Sequence, residues 1–292
     1  MDALIYYLVI PLIYLLSLLP FPLLYLFSDF LYFVFYYIIG YRKKVVLQNL
    51  RNAFPEKSDE EINAICKGFF HFFCDFFVET FKTLTISKKS MLRHCKWPDE
   101  TSAVFSKLAD DGKSSIIVMG HYGHWEWAGN TFSIVSRQQS CVIYKPISNK
   151  YFDGLMLRMR TRFGAKLIAT RNTYREMLSM RKQLTVTTFI ADQTPPPEGA
   201  YWTTFLNQDT PIFKGTEVIA KKLNLPVVYA SVNRIKRGVY ELHAEMLAEH
   251  PAETADGEIS EMHTRRLERD IIAHPETWLW SHKRWKHKRP VE

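Results

Sequence analysis

The first 40 residues contain no lysine or arginine and only two acids, Asp2 and Asp29. The stretch is almost wholly apolar and holds 12 of the chain's 42 aromatic residues. It divides at Pro20-Phe21-Pro22 into Leu4–Leu19 and Leu23–Ile39, each near the lower limit of the ~17–25 residues a helix needs to cross a bilayer. One unbroken helix of that combined length would overshoot the ~30 Å hydrocarbon core. A bend is therefore expected, with one part spanning or inserting and the other lying in the interface. The pairs Tyr6-Tyr7 and Tyr36-Tyr37 suit the headgroup level. Met1-Asp2-Ala3 offers no basic segment and no small-residue cleavage site comes after the apolar run, which argues against a cleaved signal peptide. Arg42-Lys43-Lys44 comes next, and the positive-inside tendency puts the remainder of the chain in the cytoplasm. The expected division is a membrane anchor over 1–40 and a cytoplasmic domain over 41–292.

Because the apolar stretch holds two acids and no base, the whole-chain charge of +8 becomes +10 on residues 41–292. A basic body behind a greasy terminus fits contact with an anionic membrane surface or an acidic partner. No nucleic-acid-binding motif accompanies the charge, so nucleic acid is not an expected partner. Four cysteines, Cys66, Cys74, Cys95 and Cys141, form no C-x-x-C pair, which excludes a disulfide scaffold or zinc ribbon and reads as reduced thiols.

From Ser58 to Leu84 apolar residues recur at helical spacing, and Ser58 with Glu61 forms a capping-box signature. Its phenylalanines read as core. Beyond Gly112, short apolar runs alternate with helical ones. Strands are expected at Ser114–Met119, Cys141–Tyr144, Lys166–Ala169, Leu184–Ala191, Val227–Val232 and Tyr240–Met246. Helices are expected at Trp125–Arg137, Tyr151–Phe163, Thr173–Lys182, Gly215–Leu223 and Ile259–Ala273. This alternation predicts one α/β domain around a central, mostly parallel sheet flanked by helices. The tail Ser281–Glu292, basic and next to Trp280, suits either an interfacial contact or a solvated end.

The chemistry concentrates in Gly120-His121-Tyr122-Gly123-His124-Trp125-Glu126-Trp127. It lies between an expected strand and an expected helix, where open α/β sheets place ligands. His121 and Glu126 are five positions apart, roughly 140° around a regular helix, so only a loosened turn at Gly123 could bring them together. A carboxylate-held imidazole would be a general base. Three other readings stand beside it. His121, His124 and Glu126 could bind metal, although the spacing matches no zinc pattern. A serine hydrolase lacks its G-x-S-x-G elbow. The residues could also be purely structural.

Taken with its surroundings, this segment resembles the bacterial lipid A biosynthesis acyltransferases, the late lauroyl/myristoyl transferases of the lysophospholipid acyltransferase superfamily. The likeness runs in order along nearly the whole chain. After the apolar terminus come Val46-Leu47-Gln48-Asn49-Leu50 and Ala53-Phe54-Pro55-Glu56, then the His-x4-Glu motif. Arg158–Gly164, Ala191-Asp192-Gln193, Trp278-Leu279-Trp280 and Arg284-Trp285-Lys286 complete the series. The resemblance implies an acyltransferase fold, an N-terminal membrane helix, and transfer of a fatty acyl chain from acyl-carrier protein or coenzyme A to a hydroxyl of a lipid A precursor. It also implies an inner-membrane setting in lipopolysaccharide biosynthesis. His121 would take the acceptor's proton and Glu126 would orient His121. Arg160 and Arg162 would bind phosphate or stabilise charge, and Asp192 would stand near the substrate. The thioester would be a co-substrate, and neither metal nor covalent nucleophile is required. Acyl transfer to a lysophospholipid or aminolipid, or a non-catalytic lipid-binding scaffold, are the alternatives.

Overall fold

The ordering of elements in the computed structural model, which describes residues 2–290, obeys the breaks that proline, glycine and capping residues impose. Met1, Val291 and Glu292 lie outside the described residues. The apolar terminus forms α1 (Asp2–Leu18) and α2 (Phe21–Phe33), broken at Pro20, and α2 runs on into a wider π-helical turn, Val34–Ile39. Then come α3 (Lys43–Ala53), α4 (Asp59–Lys82), α5 (Lys88–His94), β1 (Cys95–Lys96) and α6 (Asp99–Asp110). The alternating region supplies β2 (Ser115–Met119), α7 (Trp125–Val135), β3 (Gln139–Tyr144), α8 (Lys150–Thr161), β4 (Lys166–Ala169), α9 (Thr173–Ser179) and β5 (Thr185–Ile190). The remainder is β6 (Tyr201–Phe205), β7 (Gln208–Ile212), α10 (Gly215–Leu223), β8 (Val227–Lys236), β9 (Val239–Ala248) and α11 (Glu258–Ala273).

Seven strands form one sheet in the order β1-β9-β8-β2-β5-β3-β4. The five from β8 to β4 are mutually parallel; β9 is antiparallel to β8, and β1 runs parallel to β9. The expected mostly parallel α/β sheet is the one observed. Every residue of β2 is buried, as in a parallel strand covered on both faces. Its side chains alternate: Ile116 and Val118 enter one core with Tyr229 and Leu267, while Ile117 and Met119 enter another with Trp127 and Phe132. All four cysteines are free and buried.

The capping box of α4 is present in both directions: Ser58 Oγ accepts from Glu61 N, and Glu61 Oε2 accepts from Ser58 N. Most of its phenylalanines are buried, with Phe77 on the surface. Three features escaped the sequence. Helices α3, α5 and α6 and the two-residue strand β1 were not expected. Nor was the β6–β7 hairpin, because its turn residues Leu206 and Asn207, at φ 49° and 60°, lack the glycine that normally marks such a turn. The third is the length of the β8–β9 hairpin, which continues past Val232 so that its tip reaches α2.

That reach matters, because α2 is tied to the body by polar side chains. Tyr25 donates to Glu79 Oε1 at 2.7 Å, Ser28 donates to Asp75 Oδ1 at 2.7 Å, and Arg237 from the hairpin tip bridges Asp29 and Asp75. Glu79, wholly buried in α4, also accepts from Tyr240 at 2.7 Å and faces His124 Nε2 at 3.3 Å. Burial first, then the nearby Asp75 charge, pushes the Glu79 carboxyl up to about 8 against the hydrogen bonds that favour its ionised form. A carboxyl raised this way stabilises the fold below its ordinary value of ~4.3 and loses that contribution as pH climbs through the raised value. The melting temperature is therefore expected to fall between about pH 5 and pH 9, and Glu79→Gln should flatten that slope. Parallel slopes in a thermal-denaturation series of the two proteins would refute this assignment.

Candidate active site

The turn from β2 into α7 can form only because glycine occupies two of its positions. Gly123 has φ +60°, and a Cβ there would stand 1.8 Å from the Val232 carbonyl oxygen. At Gly120 a Cβ would meet Leu267 at 2.7 Å, so the glycine lets the strand end press against α11. The turn is also stitched to the C-terminal segment: Gly123 N donates to the Thr277 carbonyl at 3.0 Å, and Leu279 N donates to the His121 carbonyl at 3.2 Å. His124 caps α7 through Nδ1, which accepts from Trp127 N, and its ring is fully buried in an aromatic stack. Burial holds its pKa well below the ordinary value, so it is a neutral structural residue.

His121 comes to the turn's outer edge, and the carboxylate that meets it belongs to Asp192, just past β5. Their Nδ1···Oδ1 separation is 2.6 Å. Asp192 Oδ2 accepts from the His121 backbone N–H and from the Trp278 indole, each at 2.8 Å. Burial would raise this carboxyl, but the His121 ring and the three hydrogen bonds together hold it down at about 2, so it is ionised at neutral pH. Arg284, buried behind it and paired with no carboxylate among the described residues, adds positive potential; burial lowers its own pKa to about 10 while Asp192 opposes that shift. With Nδ1–H donated to Asp192, the Nε2 lone pair points outward, where the Gln193 carboxamide nitrogen lies 3.3 Å away.

The expected contact between His121 and Glu126 does not form. Glu126 sits inside the first turn of α7, which begins only at Trp125, and there it faces α8 while His121, in the turn before the helix, faces the end of β5. Its carboxylate is clasped instead by Arg160 of α8, with Nε to Oε2 at 3.0 Å and Nη2 to Oε1 at 2.5 Å. Arg160 is thus at the site, committed to Glu126, with Nη1 outside that pairing. Arg162 is elsewhere: its Nη1 donates to the Thr83 and Ile86 carbonyls, both at 2.5 Å, closing the C-terminal end of α4. Two residues further along α8 point to a different side, which is why only one arginine reaches the site. The basic tail is also neither loose nor free-standing over its described part. Trp285 donates to Thr210, Arg284 donates to the Pro211 carbonyl and Arg289 pairs with Asp209, all on the β6–β7 hairpin.

His121, Glu126, Arg160 and Gln193 line one cavity of about 610 Å³. Its walls are otherwise mainly apolar. Beneath α7 it runs sideways across the sheet, past Ile117 and Met119 of β2, then Ala230 and Val232 of β8, then Leu242 of β9, ending against Trp97 and Phe105. β9 stands two strands from β2, so this arm reaches roughly 10 Å from the strand that carries His121. An imidazole with an ionised carboxylate on one nitrogen, and an apolar pouch before the other, can accept a proton from a bound hydroxyl.

Comparison with known proteins places the whole chain. Residues 1–287 match the family described as bacterial lipid A biosynthesis acyltransferase. The chain is also 23% identical over 254 residues to the lipid A biosynthesis palmitoleoyltransferase of Escherichia coli (strain K12), covering 86% of this chain and 80% of that protein. The same identity and coverage hold for a lipid A biosynthesis acyltransferase of Shigella flexneri. Since the family match takes in the N-terminal helices, the sheet and the turn that bears His121, the chain belongs to the bacterial lipid A biosynthesis acyltransferase family and is an acyltransferase.

Proposed function

We propose that this protein is a membrane-associated O-acyltransferase of the inner membrane, working on the cytoplasmic face. It moves a fatty acyl chain from an acyl-carrier-protein or coenzyme A thioester to a hydroxyl of a lipid A precursor. The observation that carries the reading is the His121–Asp192 pair, 2.6 Å apart, with its free nitrogen turned into a large apolar cavity. In this reading His121 Nε2 takes the proton as the acceptor oxygen attacks the thioester carbonyl. The tetrahedral intermediate collapses, the C–S bond breaks, and the thiolate recovers the proton from the imidazolium. Asp192 stabilises that imidazolium and holds the ring in the tautomer that leaves Nε2 unprotonated. The Gln193 carboxamide and the Arg160 guanidinium are polar donors on the same cavity wall, where charge develops on the carbonyl oxygen. The basic body favours an acidic carrier protein and an anionic membrane surface.

The test supplies the full-length protein, in mixed micelles, with labelled acyl-carrier-protein thioester and a lipid A precursor. Parallel arms replace the donor with acyl-coenzyme A and the acceptor with a lysophospholipid. A labelled lipid A product supports the proposal. Transfer only to the lysophospholipid would move the acceptor, and no labelled lipid in any arm would overturn the reading.

The apolar arm also predicts donor selectivity. Replacing Phe105 by alanine opens the far end of the pouch and should shift preference towards longer acyl chains. Each newly buried methylene is worth about 0.8 kcal/mol, about fourfold in kcat/KM. Competition between donors of different length, read by mass spectrometry of the product, checks it. An unchanged chain-length profile would show that the acyl chain lies elsewhere.

A further inference from the structure

We infer that a single buried water, held by Arg284, bridges to the Asp192 carboxylate and makes Arg284 a positioning residue for acyl transfer. The inference rests on the proposed role of the His121–Asp192 pair and adds a support behind it. Asp192 lines a second cavity, separate from the large one, together with Tyr229, His263, Thr264 and Arg284. Its volume is about 10 Å³, the least that admits one water molecule. Two of the polar residues on its wall are already occupied: Tyr229 donates to Asp270 at 2.6 Å, and Thr264 to the Ser260 carbonyl at 2.7 Å. The other three are not. Arg284 is 1% exposed and His263 5%, yet among the described residues Arg284 Nε and Nη1 and His263 Nε2 have no hydrogen-bond partner. Asp192 Oδ2 accepts two hydrogen bonds and Oδ1 accepts one, whereas a carboxylate has room for about four. One place on Oδ1 is left over.

These remaining groups match the bonding capacity of one water. The two Arg284 N–H groups donate to its oxygen, and its two protons go to Asp192 Oδ1 and His263 Nε2. Burial pushes the His263 imidazole down to about 4, so at neutral pH the ring is uncharged and one nitrogen can accept. An anion fits less well, because it would share the cavity with an ionised carboxylate and offer His263 no proton. Two bare guanidinium N–H groups in the interior would be strongly unfavourable, and polar groups too far apart for a direct bond are commonly joined through water. Arg284 is itself fixed. Its Nη2 donates to the Pro211 carbonyl of β7 at 2.7 Å, and its own carbonyl accepts from Thr194 at 2.6 Å. The C-terminal segment therefore grips Asp192 twice, directly through the Trp278 indole and through the water on Arg284. The second grip keeps the carboxylate from turning, so that Oδ1 stays on His121 Nδ1 while the imidazolium forms.

A crystal structure of the full chain, at a resolution that shows ordered water, tests the site without any variant. One water-sized peak is expected within about 3.2 Å of both an Arg284 nitrogen, Nε or Nη1, and Asp192 Oδ1. No peak there would overturn the inference, and so would anomalous scattering after a bromide soak, which would mark an anion. Kinetics test the role. Arg284→Met should lower kcat by about 10- to 100-fold, the worth of one hydrogen bond to a charged group, with KM little changed. Arg284→Lys, which keeps the charge and a donor, should recover much of that loss. In an Asp192→Asn background, Arg284→Met should cost less than about threefold more, because its route to His121 is already cut. Equal losses in both backgrounds would mean a structural role only and overturn the inference. Should Arg284→Met not fold, His263→Leu removes one partner of the water and leaves Arg284 on Pro211. A fall in kcat of about two- to tenfold is expected there, and an unchanged kcat would sink the inference. Unaltered kinetics in Arg284→Met, beside a large loss in Asp192→Asn, would overturn this inference alone. Full activity in Asp192→Asn would instead remove the proposed role of the His121–Asp192 pair, and this inference with it.

Discussion

With His121 replaced by alanine, kcat/KM for acyl transfer is expected to fall by about 10²–10⁴, the range general-base assistance supplies. The loss should appear in kcat with KM little changed, because the imidazole contributes to the transition state and hardly at all to burial of the acyl chain. The fold should survive. The ring is partly exposed in the cavity, and the turn is held by backbone bonds from Gly123 and Leu279 that alanine keeps. Steady-state kinetics beside a circular-dichroism spectrum and a melting curve make the check. A folded variant that retained most of its turnover would remove His121 from the chemistry.

Asp192→Asn should cost nearly as much, through a different route. Three donors face this carboxylate: the His121 ring, the His121 backbone N–H and the Trp278 indole N–H. A carboxamide has one accepting oxygen. If it serves the two donors on Oδ2, its NH2 faces Nδ1, which must then become the acceptor. The ring proton moves to Nε2, and the nitrogen turned to the cavity can no longer take a proton. A loss of about 10²–10⁴ in kcat is the expected consequence of the wrong tautomer. Raising the pH should not restore it, since the defect is proton location and not ionisation. Turnover within about threefold of wild type would show that Asp192 has no part in positioning the base. Because this carboxyl is held at about 2, the wild-type protein should keep the pair's arrangement down to acidic pH.

The two variants also separate the carboxylates that compete for the role. Glu126 is the nearer in sequence and bears the family-like spacing, yet it faces Arg160. A spacing of five gives no contact on a regular helix, and where the backbone is irregular the spacing alone does not say which way either side chain turns. Here the chain leaves a strand, passes Gly123 at positive φ and enters a helix within five positions. Asp192 lies 71 positions from His121 and arrives because β5 pairs in parallel with β2, so both strands end side by side. The residue was visible as an acid at a strand end, but its partner was not. Gln193, beside the outer nitrogen of His121, belonged to the same strand-end segment and had no signal of its own. Trp278 likewise stood out as an aromatic pattern late in the chain, and only folding put its indole on Asp192.

Local chemistry in the sequence determined the break at Pro20, the capped α4 helix, the alternation of strands and helices, and the turn that exposes His121. Each depends on propensity, periodicity or steric limits among neighbours a few residues apart. Tertiary structure alone decided which carboxylate holds the imidazole, that Arg162 closes a helix end, that the basic tail packs on a hairpin, and that a greasy terminal helix carries an ionic seam on its inner side. Those outcomes depend on strand order and on how α2, α4 and the β8–β9 tip meet. Such pairings join residues far apart in the chain, and no short-range pattern encodes them.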